Sequence, residues 1–372
     1  MNPSLFQPPF SPDYGSPPGT TLREVLERLG LSQSDLAERT GRPKKTINEI
    51  AQGKAAITPE TALQFERVLG IHASFWLNLE RLFQAALARN DERERLPQYI
   101  PWLASFPVKE LAKRGWIKPQ DDRVELVREV LDFFGVTTPD AWNDVWSQAQ
   151  RATALRQAKS RHVDFGAVAA WLRKGEIDGR TMRCESYDEQ NFRECLENLR
   201  RSTTHPSESF CEEIQRRCAS AGVAVVFVPE LPRVRIFGAA RWLSADKALI
   251  QLSFYYKRED QVWFSFFHEA AHILLHGRRD VFVDVDVNAT DKEEAEANRF
   301  AQDRLIPSQA YAAFVARGQF SASAVVSFAK QSGVAPGIVV GRLQHDEKIG
   351  FNHLNHLRKP VKWGEQVSDS PS

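Results

Sequence analysis

Along this chain the apolar positions follow two different periods. From Thr20 to about Asn90 they recur every three or four residues in short stretches, the spacing of amphipathic helices. Thr20 or Thr21 is placed to cap the first helix, Ser32 the second, and Thr58 with Pro59 another. Residues 91–205 keep a helical pattern broken by prolines. They are rich in tryptophan (Trp102, Trp116, Trp142, Trp146, Trp171), which we expect to serve packing. After Gly222 the period shortens. Val223–Val228 is a β-branched run ended by Pro229, and Val234–Phe237, Ala240–Leu243 and Ala248–Phe254 read as further strands. Asp260–His276 is apolar on most sides, as a buried helix is. Helices resume from about Asp291, so the strand block and its helices predict an α+β domain.

These patterns predict a multidomain chain: a tail over 1–19, an all-α domain over 20–90, a helical connecting region over 91–205, an α+β domain over 206–310, a C-terminal helical hairpin over 311–362 and a tail over 363–372. The first tail carries six prolines and is expected to be disordered. A length of 372 residues suits two or three domains. With 42% hydrophobic and 26% charged residues the composition is that of a globular protein.

Lys+Arg number 49 and Asp+Glu 48, so no overall field draws the molecule to nucleic acid or to an acidic membrane; any such affinity must be local. No apolar run approaches the roughly 18 residues that span a bilayer, and no secretory signal is visible at the N-terminus. The expectation is a cytoplasmic protein with no membrane association. Cys184, Cys195, Cys211 and Cys218 form no CxxC and are expected to be reduced thiols.

The chemistry is concentrated in Phe267-His268-Glu269-Ala270-Ala271-His272, an HExxH on a predicted helix. Four residues at about 3.6 per turn place His268 and His272 on one face, one turn apart, where both can reach one Zn2+. Glu269 projects beside them as candidate general base, the arrangement of zinc peptidases. A catalytic zinc needs a third protein ligand. His276 extends the same face, but its backbone lies about 12 Å from that of His268 along the axis. It is therefore expected to support the site or to face the substrate. The better source is the helix from Asp291 to Ala301. Thr290 or Asp291 caps it, with Glu293 or Glu294 closing a capping box. Glu296 has no such role and precedes Phe300 by one turn, so Glu296 is the preferred third ligand and Glu293 the alternative. His276 and Tyr255 are the candidates for stabilising an oxyanion, and Leu249–Phe254 for aligning an extended substrate by edge pairing.

The run from Arg241 through Pro307, with Gly238-Ala-Ala-Arg-Trp-Leu243, Ile250-Gln-Leu252, Phe267–His276, Glu296-Ala-Asn-Arg-Phe-Ala301 and Leu305-Ile-Pro307, resembles the ImmA/IrrE family of zinc metallopeptidases. That resemblance implies a zincin-like fold, zinc on His268, His272 and Glu296, and Glu269 as base. It also implies a transcriptional repressor as the protein substrate, in stress, phage or mobile-element control.

Ser32–Gly41 followed by Pro43–Gly53 has helix-turn-helix spacing. Leu36, Ala37, Ile47 and Ile50 supply its contacts, and Gly41 its turn. Arg39, Arg42, Lys44, Lys45 and Lys54 against Glu49 make a local +4, as phosphate contact requires. Leu31-Ser-Gln-Ser34, Ile57-Thr-Pro-Glu60 and Phe75-Trp-Leu-Asn-Leu79 resemble the Xre-type, HigA-like antitoxin domain, of lambda-repressor-like fold. The resemblance implies that Lys44–Asn48 enters the major groove of double-stranded operator DNA. Lys44 and Lys45 would meet phosphate or guanine, and Thr46 and Asn48 base edges. Gln33 and Lys54 would hold the backbone, and Arg42 would join the basic face. A homodimer is expected, and a toxin is a candidate partner. Ala329–Leu343 echoes the same turn with fewer bases and is expected to pack on the peptidase or to dock a protein. Two functions stay open: a DNA-tethered zinc endopeptidase, or an antitoxin-like regulator whose zinc domain senses or binds a partner without cutting.

Overall fold

The computed structural model describes residues 16–146, 164–204, 210–232, 234, 236–253, 255, 257–276, 282–285 and 292–361. The chain divides into two compact units, Met1–Ile100 and Pro101–Ser372.

The first unit is helical: α1 (Pro18–Leu29), α2 (Gln33–Thr40), α3 (Lys44–Ala51), α4 (Pro59–Leu69) and α5 (Ala73–Arg95). Their inward positions, Leu22, Leu36, Ile47, Ile50, Phe65 and Trp76 among them, form one buried core. α1 begins at Pro18, so Thr20 and Thr21 lie inside it rather than capping it; the proline supplies the preset φ of a first turn. The tail expected over 1–19 therefore ends earlier, and residues 1–15 of it lie outside the described residues. Ser32 does cap α2. Its Oγ accepts from the Asp35 amide at 3.1 Å while the Asp35 carboxylate accepts from the Ser32 amide at 2.8 Å. Thr58 caps α4 with Pro59 at its first position.

The second unit holds α6 (Val108–Lys113), α7 (Arg123–Phe134), α8 (Phe165–Thr181), α9 (Glu189–Ser202), α10 (Phe210–Ala219), β1 (Val223–Phe227), β2 (Ile236–Ser244), β3 (Lys247–Leu252), α11 (Glu259–Leu275), β4 (Phe282–Val285), α12 (Lys292–Leu305), α13 (Ser308–Ala316), α14 (Ala322–Ser332) and α15 (Pro336–His345). The sheet order is β1-β3-β2-β4, with β1 and β3 parallel and the other pairs antiparallel. Both sides of β3 are thus occupied, which corrects the expectation that Leu249–Phe254 offers an edge to substrate. The separate strands expected at Val234–Phe237 and Ala240–Leu243 are one strand, β2.

Alternation along the strands covers both faces of this sheet. On one side Val223, Val225, Ala240, Ile250 and Leu252 join the main core with α11. On the other, Gln251 donates to the Trp171 carbonyl of α8 at 2.7 Å, Arg241 donates to the Leu172 carbonyl at 2.7 Å, and the Trp171 indole donates to the Val228 carbonyl at 3.0 Å. Within the segment expected as a connecting region, α8 thereby contributes a covering layer of the sheet. Trp102 and Trp142 pack edge-on with Phe106, in the packing role expected of them.

After α12, the pair α14–α15 turns at Gly333 (φ 67°), as α2–α3 turns at Gly41 (φ 68°). The second helix of this echo is not a free reading head: Val339, Val340 and Leu343 of α15 are buried in the main core. The chain then returns to the start of α11. Arg358 makes a bidentate pair with Asp260, from Nε to Oδ1 at 3.1 Å and from Nη2 to Oδ2 at 2.7 Å. Among the described residues no single helix is long and apolar enough to cross a membrane. The bent pair α14–α15 passes that test by length and composition only. The four cysteines are free thiols.

Candidate metal centre and helix-turn-helix face

The site is built where α11 lies on the small-residue strip Gly238-Ala239-Ala240 of β2. Ala270 and Ala271 carry no exposed surface, and their small side chains let the helix sit close to the sheet. A Cβ on Gly238 would stand 2.4 Å from the Glu269 Oε1 and 2.7 Å from its Cγ. Gly238 is therefore required for space: its bare Cα makes room for the Glu269 carboxylate, which is wholly buried. Sequence pattern alone assigns Gly238 no role. The signal available was a glycine inside a strand, which marks a close approach.

His268 and His272 face each other on α11, Nε2 to Nε2 at 3.1 Å. The third group is Glu294 of α12, with Oε2 at 3.1 Å from His268 Nε2 and Oε1 at 3.7 Å from His272 Nε2. This corrects the expected placement of Glu296. On α12 the face turned to the core runs Glu294, Ala297, Ala301 and Leu305. Glu296 stands off that face, 43% exposed, with Oε2 at 3.5 Å from His276 Nε2 and Oε1 at 3.8 Å from Lys292 Nζ. Phe300, which suggested that Glu296 pointed inward, is itself only half-buried and lies under the Arg304 guanidinium. Glu293, the alternative, is exposed. Thr290 and Asp291, expected to cap α12, lie outside the described residues.

One donor atom each from His268, His272 and Glu294 falls within 4.8 Å of the others. Two donors on a tetrahedral zinc, each at about 2.0–2.1 Å, stand about 3.4 Å apart. The observed separations of 3.1–3.7 Å bracket that figure. The chemistry of the donor set agrees. His268 Nδ1 lies 3.0 Å from the Asn298 Oδ1. A carbonyl oxygen only accepts, so Nδ1 donates and the Nε2 lone pair faces the Glu294 carboxylate. Two acceptors at that range need a cation or a proton between them. Burial, opposed by the hydrogen bond to Glu294, pushes the His272 imidazole down to about 4. It is neutral at physiological pH, the form that ligates.

His276 does not offer a nitrogen to an oxyanion. Its Nδ1 lies 2.9 Å from His272 Nδ1, and its Nε2 is turned to Glu296. Tyr255 follows β3 and packs edge-on against Phe237, the neighbour of Gly238.

In the first unit, Gly41 turns α2 into α3. Lys44, Lys45, Asn48 and Lys54 are exposed; Gln33 and Thr46 are half-exposed. Lys45 pairs with Glu49 at 3.8 Å, and Asn48 accepts from Gln52 at 3.1 Å. Arg42 is turned back into its own domain, onto Gln64 and onto Glu60 at 3.3 Å. Arg42 is thus kept apart from the basic face on which it is expected.

Two family models match the chain: helix-turn-helix over residues 22–76, and the IrrE N-terminal-like domain, a peptidase family, over residues 240–343. Among curated proteins, virulence-associated protein A of Dichelobacter nodosus is 40% identical over 65 residues, 17% of this chain and 64% of its own length. The chain therefore spans just under two thirds of that relative. YddM of Escherichia coli strain K12, described as an uncharacterized HTH-type transcriptional regulator, is 34% identical over 71 residues, 19% of this chain and 76% of its own length. A solved addiction module antidote protein of a HigA family from Coxiella burnetii is 28% identical, covering 23% of this chain and 92% of its own, with a TM-score of 0.21. The chain belongs to the helix-turn-helix regulators of which YddM is one, and it carries behind that module an IrrE N-terminal-like domain of a peptidase family.

Proposed function

We propose that this protein is a DNA-binding regulatory zinc endopeptidase that hydrolyses a peptide bond in a partner protein, with a transcriptional repressor as the substrate class. The observation that carries the reading is the buried convergence of His268, His272 and Glu294 beside Glu269 on the same helix. His268, His272 and Glu294 would hold the Zn2+, with Asn298 fixing the His268 ring. When bound, zinc supplies Lewis-acid polarisation of the scissile carbonyl and acidifies water. Glu269 takes the proton of the attacking water on its carboxylate and returns it to the departing amine. Gly238 leaves that carboxylate its place against β2. A regulator that only senses zinc would have no use for Glu269.

On the DNA side, Lys44 and Lys45 meet phosphate or guanine at an operator, Thr46 and Asn48 reach base edges, and Gln33 and Lys54 hold the backbone. We place the protein in the cytoplasm, as a homodimer reading paired half-sites. A toxin is the further partner implied by the resemblance of Leu31–Ser34, Ile57–Glu60 and Phe75–Leu79 to the HigA-like antitoxin domain.

The test compares wild type with Glu269→Gln in the native host. Newly formed protein N-termini are mapped by mass spectrometry, and zinc is measured in both purified proteins. A set of termini present only with wild type, at equal zinc content, supports the peptidase and names the substrate. Equal zinc with no Glu269-dependent terminus under any stress tested would move the assignment to the non-cutting regulator.

A further inference from the structure

His276 ends α11 four residues after His272, and its ring folds back onto that of its predecessor, with centroids 4.9 Å apart. Its Nδ1 meets His272 Nδ1 at 2.9 Å, and its Nε2 faces the Glu296 carboxylate at 3.5 Å. We infer that Glu296 and His276 form a line from the protein surface to the donor cluster that holds His272 in its metal-ligating tautomer. The inference rests on the zinc reading above and adds two positioning residues to it.

His272 turns Nε2 toward His268 and Glu294. To ligate through that atom, a neutral His272 must carry its proton on Nδ1. The only direction then open to the 2.9 Å contact is donation from His272 Nδ1 to His276 Nδ1. His276, accepting there, must carry its own proton on Nε2. That proton faces Glu296, a group that only accepts.

The opposite direction is self-consistent too. His276 donates through Nδ1, the His272 proton moves to Nε2, and the ligating lone pair is lost. A carboxylate at the outer end selects between the two, because it favours an N–H on His276 Nε2 and repels a lone pair there. His268 is fixed differently, by the Asn298 side-chain oxygen at 3.0 Å. The two ligands thus have separate supports, and the one behind His272 ends on a carboxylate that is 43% exposed.

The test uses the full chain, stripped of metal and titrated with zinc against a chromophoric chelator. Outer supports of a ligating imidazole are worth about 10–100-fold in metal affinity. His276→Ala is expected to weaken zinc within that range, and His276→Gln, whose side-chain oxygen can accept from His272, to recover part of the loss. Glu296→Gln is expected to weaken zinc several-fold alone and to add nothing in the His276→Ala background. Glu293→Gln removes the same charge from an exposed position three residues earlier and is expected to leave affinity unchanged; it separates tautomer control from a general field. Because Glu296 is at the surface, its variant stays informative if His276→Ala fails to fold. Equal affinities for Glu296→Gln, Glu293→Gln and wild type would overturn the inference while leaving the zinc site standing. A wild type that binds no zinc would overturn the site itself, and the inference with it.

Discussion

Two residues along a helix rotate a side chain by about 200°, which is why Glu294 and Glu296 part company on α12. The first lies on the face that carries Ala297 and Ala301 into the core; the second stands at the surface beside Lys292. Replacing Glu294 by Gln is expected to cost more zinc affinity than the about 10–100-fold of a supporting residue, and Glu296→Gln less. Chelator competition checks the order, and a reversed order would return the third ligand to Glu296. At Gly238 the expectation is different in kind. Ala there forces the Glu269 carboxylate out of place, so Gly238→Ala should keep zinc while lowering Glu269-dependent cleavage by about 10²–10⁴, the worth of a general base. Cleavage at the wild-type level in the Ala variant would show that the close approach is idle. At this scale the sequence displayed the histidine pair and its neighbouring Glu269 through spacing alone. It hid Glu294, because a capping-box role accounted for that residue equally well and Phe300 suggested the wrong inward face.

Elements were legible where local chemistry decides them and obscure where neighbours do. Ser32 and Thr58 announced α2 and α4 because a cap is a contact within four residues. β2 was harder to read as one strand, since Gly238-Ala239-Ala240 lacks the branched side chains that favour strands. Those small residues are there to receive α11, a demand that comes from outside the strand. Sheet order, which puts β3 inside and β4 at the rim, depends on long-range pairing that no local period encodes. The Asp260–Arg358 pair has the same character, joining the first turn of α11 to a segment about a hundred residues later. Both side chains are largely buried, 4% and 11% exposed. Arg358→Ala would strand a buried carboxylate and is expected to lower stability by about 3–5 kcal/mol. Denaturant unfolding of the two full chains checks this, and an unchanged midpoint would mean that the strap is not needed to seat α11.

The whole molecule joins a module that reads DNA to a domain built like a peptidase, and its charge is arranged accordingly. A net +1 conceals the basic cluster around α3, where Lys44 and Lys45 are exposed. Lys44→Ala with Lys45→Ala should weaken operator binding and flatten the dependence of log K on log salt by about 1.8, at about 0.9 per phosphate contact. Gel shifts across a salt series would show it, and identical slopes would remove these lysines from the interface. The two ends of this architecture stood out in the sequence as a local charge excess and an HExxH. The layer contributed by α8 did not, because Trp171, Leu172 and Gly175 announce a helix and not the sheet it covers.

We propose that His268, His272 and Glu294 hold zinc. The most direct measurement is a crystal structure of the full chain grown with zinc, with anomalous data collected on both sides of the zinc absorption edge. One strong anomalous peak is expected, bonded to His268 Nε2, His272 Nε2 and a Glu294 carboxylate oxygen, with His276 and Glu296 outside bonding distance. A peak ligated by Glu296, or none at the histidine pair, would contradict it.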